Sequence, residues 1–245
     1  MWPMRAIGDK NIIGRYVGDK QVIARYIGDK MVFADYITNG LIHRFDAIDN
    51  MGTGDFVPDA NVWTDLVSGI QATMQNISRY NNAPHFNASN SKIFYSGQSV
   101  QAYTIINTHT ILSLSGTHPR IFGENPYPTL YLHSGNNYSY GLYAHGADAP
   151  FTPRIIPPAG NKITVAMRFK GLGNPVELFI NGTKAAQINV SANAGTTNVQ
   201  YIGSRSDNTR TLNGVIYEHL VYSRPLEDDE IYHNYLVTKD RYGIE

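Results

Sequence analysis

Val176-Glu177-Leu178-Phe179-Ile180-Asn181-Gly182-Thr183-Lys184-Ala185-Ala186-Gln187-Ile188 is the stretch whose reading decides the fold. Five strand formers run into Asn-Gly, and six residues lead out again. Asn-Gly accepts the positive φ angles of a two-residue hairpin turn, so this is the strongest short-range hairpin signal a sequence carries. Working outward, further strand-like runs are Leu41–Asp46, Val100–Asn107, Thr110–Leu114, Thr129–His133, Tyr138–Ala144, Lys162–Phe169, Val199–Ile202 and Gly214–Tyr222. No helical pattern intervenes. Strands at this spacing predict an all-β sandwich or jelly roll.

Composition agrees. The chain has 245 residues with 22 Asn, 22 Gly and 17 Tyr. Asn and Gly supply turn positions and Tyr favours strands. Twenty basic and twenty acidic residues cancel, so no basic excess exists to hold nucleic acid. Cysteine is absent, which excludes disulfides, thiolate metal sites and cysteine nucleophiles. No apolar run is long enough to enter a membrane as a spanning helix, and Met1–Arg5 lacks a signal-peptide pattern. The expectation is synthesis in the cytoplasm without a secretion signal, with release by lysis as the route by which such a protein can work outside the cell. Five Asn-X-Ser/Thr sequons, at Asn76, Asn87, Asn137, Asn181 and Asn189, read as chance in an Asn-rich chain.

One helix is expected near the end. Leu226-Glu227-Asp228-Asp229-Glu230 follows Pro225 and places acid where the helix dipole favours it. Ile231, Tyr235 and Leu236 supply an apolar face, and fraying is expected near Lys239-Asp240.

The first forty residues repeat with a period of ten: RAIGDKNIIG from Arg5, RYVGDKQVIA from Arg15 and RYIGDKMVFA from Arg25. Gly18-Asp19 and Gly28-Asp29 suit type II′ turns, giving a short antiparallel β-meander over residues 1–38. Opposite parity across each turn sends Tyr16 and Tyr26 to opposite faces. Apolar residues then lie on both faces, and Tyr16, Ile23, Tyr26 and Phe33 are the expected assembly contacts. A meander that small needs cover. The partners expected are copies of the chain itself, in a homo-oligomer such as a trimer, or a larger particle into which the leader docks.

The body, residues 39–245, carries a family resemblance. Leu178–Thr183 resembles the "lYvNGv" hairpin of laminin-G-like, concanavalin A-like jelly rolls. Tyr201-Ile202-Gly203-Ser204 resembles their "lyiGs" strand, and Asn213–Leu226 is similar to "fnGxIxEvxiYnRxL". Phe45–Asn50 and Trp63–Gly69 resemble the opening "yDgxdN…WxDlSGn". The resemblance implies a concanavalin A-like jelly-roll sandwich. The leader resembles those on tail and fibre proteins of phages that infect Gram-positive bacteria, which implies a virion protein of receptor-binding type. The alternatives are a purely structural or decoration protein and a glycan-active hydrolase.

Hydrolysis by a retaining route needs two carboxyls about 5–5.5 Å apart, hence even spacing along a strand. Glu177 and Glu218 each stand alone on a strand, and Glu227–Glu230 sit at a helix start. No catalytic residue is assigned, and the protein is expected not to be an enzyme. For calcium, the hard oxygen donors Asp46, Asp49, Asn50 and Asp55 lie around a glycine-rich turn, with turn capping as the competing reading. For sugar, Tyr127, Asn136, Asn137 and Tyr138 are the expected contacts with a bacterial surface glycan.

Overall fold

The computed structural model describes residues 16–17, 20–21, 24–27, 30–98, 100–124, 128–144, 147–192 and 199–245. The chain divides into two compact units, Met1–Ile37 and Thr38–Glu245.

The first unit holds β1 (Tyr16–Val17), β2 (Lys20–Gln21), β3 (Ala24–Ile27) and β4 (Lys30–Ala34). Val17 pairs with Lys20 and Ile27 with Lys30, the register that two-residue Gly-Asp turns require. Among the described residues β1 pairs with β2 and β3 with β4, and the rest of the expected meander lies outside them. The backbones of Tyr16, Tyr26 and Phe33 lie in β1, β3 and β4. Ile23 lies outside the described residues.

The second unit begins with β5 (Leu41–Asp46), β6 (Val62–Thr64), β7 (Gln71–Gln75), β8 (Ser78–Tyr80), β9 (Ala83–Phe86) and β10 (Lys92–Ser96). Next come β11 (Tyr103–Ile111), β12 (Arg120–Phe122), β13 (Thr129–His133), β14 (Ser139–Ala144) and β15 (Ala147–Pro150). The last strands are β16 (Lys162–Phe169), β17 (Val176–Ile180), β18 (Thr183–Ile188), β19 (Val199–Ile202) and β20 (Gly214–Tyr222). Helix α1 (Asp228–Tyr242) follows. One antiparallel sheet runs β15-β14-β13-β12-β19-β10-β7-β6. The other runs β18-β17-β16-β11-β20-β9-β8, with β5 also on β20. Between them lie inward-facing side chains such as Phe45, Trp63, Leu130, Leu142, Val165 and Leu178, all fully buried. This is the all-β concanavalin A-like sandwich with one C-terminal helix that the sequence predicts.

The deciding hairpin forms as read. Asn181 and Gly182 take φ of 49° and 79° between the paired residues Ile180 and Thr183. A Cβ on Gly182 would meet Tyr232 and Tyr235 of α1 at 2.9 and 3.0 Å, so glycine also lets the helix seat there.

Two expectations are corrected. Tyr103–Ile111 is one strand, not two runs broken near Asn107. The polar residues there turn into the sandwich and satisfy one another. His109 Nδ1 is 2.9 Å from Asn107 Oδ1, and Asn107 Nδ2 donates to His219 Nδ1 at 3.3 Å. His109 Nε2 is 2.9 Å from the hydroxyl of Tyr140 on the facing sheet. The helix does not fray at Lys239-Asp240 but continues to Tyr242, with Gly243 as its left-handed cap. Tyr242 is held by its hydroxyl, which donates to Asp46 Oδ1 at 2.8 Å. At the helix start, Glu227 and Glu230 form a capping box, Glu230 also pairs with Arg224, and Asp228 pairs with Arg168. No helix among the described residues is long and apolar enough to cross a membrane.

Candidate functional site

A cavity of about 420 Å³ opens where the loop after β5, the β8–β9 turn, the start of β16, β20 and the end of α1 meet. Such volumes are typical of ligand sites. Phe56, Tyr217 and Tyr242 give it aromatic walls, and Asn81, Asn82 and Asp55 supply polar groups at the rim.

Each part has a local cause. Asn81 and Asn82 are the two turn residues between paired Tyr80 and Ala83, at φ 48° and 66°. Asn tolerates this left-handed conformation, so both amides sit exposed at a hairpin tip. Phe56 lies under the guanidinium of Arg79, 5.7 Å from its ring centroid. The rings of Tyr217 and Tyr242 are 5.9 Å apart. Lys162 Nζ sits 4.5 Å from the Tyr217 ring centroid and donates to the carbonyl of Tyr242. That carbonyl closes the helix, where a cation is favoured. Burial lowers the Lys162 pKa and raises that of Tyr217.

Behind the cavity lies Asp46, fully buried. Its Oδ1 accepts the Ile48 amide at 2.9 Å, and its Oδ2 faces Arg44 Nη2 at 2.9 Å and Arg241. Burial alone would raise its pKa, but Arg241 and Arg44 outweigh that and hold it below the usual carboxylate range. Asn50 closes the following loop, accepting the Val57 amide at 2.8 Å and donating to the Val57 carbonyl at 2.9 Å. Asp49 is half-buried and Asp55 is exposed at the cavity rim. Of the four residues proposed for calcium, Asp46 and Asn50 are thus engaged within the protein and Asp49 donates its amide to Asp46 Oδ1 at 3.4 Å. Among the described residues no group of three His, Cys, Asp or Glu is placed to hold a metal ion.

The residues proposed for sugar contact lie elsewhere. Asn136 ends a short 3₁₀ turn, Ser134–Asn136, and Asn137 follows exposed at φ 53°. Tyr138, at φ 57°, packs on the core and donates its hydroxyl to the Gly116 carbonyl at 3.2 Å. Tyr127 lies outside the described residues. Sequence reading missed Phe56, Asn81, Asn82 and Tyr217 as a group. Asn81-Asn82 between strand-forming residues was a legible turn signal.

The acids tested for hydrolysis are committed. Glu177 pairs with Arg168 at 2.7 Å and with Lys184. Glu218, fully buried, accepts from Thr238 of α1 at 2.8 Å.

A family model described as the concanavalin A-like lectin/glucanases superfamily matches residues 87–232. The chain belongs to that superfamily. A search of curated proteins finds no match. Among solved structures, Trypanosoma rangeli sialidase in complex with sialic acid is similar, with TM-score 0.64 and 19% identity over 89% of this chain and 36% of that one. The binding domain of botulinum neurotoxin DC in complex with SialylT has TM-score 0.58 and 8% identity over 81% of this chain and 51% of that one. The chain thus spans about a third of the sialidase and half of the toxin domain. These likenesses are of fold.

Proposed function

We propose that this protein is a non-enzymatic virion component of tail-fibre or receptor-binding type, whose sandwich binds a cell-surface glycan. The observation that carries the binding is the 420 Å³ cavity, with aromatic walls and two exposed amides at its rim. Aromatic faces pack against sugar C–H groups, and the Asn side chains each offer both a donor and an acceptor to sugar hydroxyls. The similarity to a toxin domain in complex with SialylT is consistent with this use of the fold. The ten-residue repeat supports the virion placement, because it joins copies of the chain to each other or to neighbouring virion proteins. The ion pairs of Glu177 and the burial of Glu218 under Thr238 support binding without hydrolysis.

A glycan array probed with the full chain tests this. A defined subset of glycans should be retained, and Phe56→Ala should reduce retention at least tenfold. Light scattering should give a multiple of the 27.3 kDa chain mass. An array with nothing retained would reduce the protein to a structural or decoration role. Release of reducing sugar that stops on Glu177→Gln or Glu218→Gln would restore the hydrolase reading.

A further inference from the structure

A second, smaller cavity of about 160 Å³ shares no residue with the first. Its lining is Arg120, Glu124, Tyr143, Asp148, Arg205 and Arg210. Arg120 comes from β12 and Tyr143 from β14, whereas Arg205 and Arg210 come from the β19–β20 connection. That connection is tightly built. Arg205 N donates to the Thr209 carbonyl at 3.1 Å, and Asp207 accepts from the Thr209 amide and hydroxyl at 3.0 and 2.6 Å. The Arg120 amide then donates to the Arg210 carbonyl at 2.8 Å, which docks the loop on β12.

The charges around this cavity are unevenly paired. Its three guanidinium groups meet Glu124 and Asp148 in the lining, and Asp207 beside it is 3.6 Å from Arg205 Nη2. Glu124 is occupied by the amide and hydroxyl of Ser206, at 2.8 and 2.7 Å, with Arg205 Nε at 3.9 Å. Asp148 accepts the hydroxyl of Tyr131 at 2.7 Å. Among the described residues no carboxylate lies within 4.0 Å of Arg120 or Arg210.

Arg120 is the sharper case, because it is only 2% exposed. Its Nη1 meets neutral acceptors alone, the Gly123 carbonyl at 3.1 Å and Thr129 Oγ1 at 3.4 Å, and its buried Nε has no acceptor. A buried charge normally has a counter-charge and full hydrogen bonding. Burial, with repulsion from Arg205 and Arg210, brings the Arg120 pKa down to about 10. A bound anion would relieve both causes.

The remaining lining narrows the ligand. Tyr143 is half-buried, with its ring 5.8 Å from the Arg120 guanidinium carbon. Asp148 is an exposed carboxylate able to accept from further hydroxyls. An oxyanion site beside an aromatic ring and a hydroxyl acceptor matches an acidic sugar. Guanidinium is also the side chain best suited to carboxylate and phosphate.

We propose that Arg120, Arg205 and Arg210 form a second binding site, for the oxyanion of an acidic sugar unit, with Tyr143 and Asp148 receiving its ring and hydroxyls. The oxyanion can be a sugar carboxylate or a polyol phosphate, and the test separates these sources.

The full chain, labelled with ¹⁵N, is titrated with sodium glucuronate, glycerol phosphate and glucose while the Arg120 Nε–H signal is followed. Glucuronate or glycerol phosphate should shift it saturably, and glucose should not. A response to glucuronate alone assigns the carboxylate source, and one to glycerol phosphate alone assigns phosphate. Arg210→Gln is the decisive variant, since Arg210 is partly exposed and docks its loop through its backbone carbonyl. It should weaken binding at least tenfold. Silence with both anions, an equal response to glucose, or undiminished binding by Arg210→Gln would overturn the site. Phe56→Ala should leave the anion response intact, so the two cavities fail separately.

Discussion

Lowering the pH from 7.5 to 5 should remove about 4 kcal/mol of the protein's stability through two buried histidines alone. The cause is the polar chain between the sheets. His109 and His219 are almost wholly buried, and burial drives the pKa of each down to about 3. In the unfolded chain each returns to about 6.5. Between these values the unfolded state binds a proton that the folded state refuses, so stability rises with pH and falls on acidification. At pH 5 the unfolded pKa lies about 1.5 units above the pH, worth about 2 kcal/mol per histidine at 1.36 kcal/mol per unit. Against the usual 5–15 kcal/mol total, that is a large share. Asp46 and Asp65 have lowered pKa values and act in the same direction, but only as pH falls below their unfolded value of 3.8. Urea unfolding at the two pH values measures the loss, and His219→Asn should halve it. A change below about 1 kcal/mol would mean that the folded protein admits protons to these rings.

Gly203→Ala should cost about 3 kcal/mol and also weaken anion binding in the second cavity. Gly203 has φ of 77°, and a Cβ there would meet the Phe86 ring at 2.1 Å. The left-handed backbone costs alanine about 1–2 kcal/mol. Forcing a methyl into the fully buried Phe86 ring adds about 1–3 kcal/mol of overpacking. The same residue starts the loop that carries Arg205 and Arg210. Its amide donates to the Ile121 carbonyl at 3.0 Å and its carbonyl accepts from Leu212 at 2.7 Å. Moving it therefore shifts both arginines relative to Arg120. Thermal unfolding and the glucuronate titration read the two effects. An unaltered melting temperature would show that Phe86 yields without cost.

Gly203 also shows why some of the fold was legible. The Tyr-Ile-Gly-Ser pattern could be read because a single residue type satisfies both the backbone angle and the close approach of a ring. The Asn181-Gly182 hairpin was legible for a similar reason, as was the capped start of α1, where turn and capping preferences are local. The short strands β6 to β10, β12 and β15 were not read. They are three to five residues long, too short for a period-two pattern to stand out from the surrounding turns.

The sequence by itself determined the all-β class, the principal hairpin, the single terminal helix and the ten-residue repeat, because each depends on backbone preferences within a few neighbours. Only the tertiary structure decided where the side chains go. It turned Asn107 and His109 inward, since a central strand covered on both faces must satisfy its polar groups internally. It gave the buried Asp46 carboxylate to Arg44, Arg241 and Tyr242. It also brought Arg120 together with Arg205 and Arg210, more than eighty residues apart in the chain, through the β12–β19 pairing and the loop that follows. Electrostatic neighbours of that kind depend on sheet register and loop docking, and no local pattern of residues encodes them.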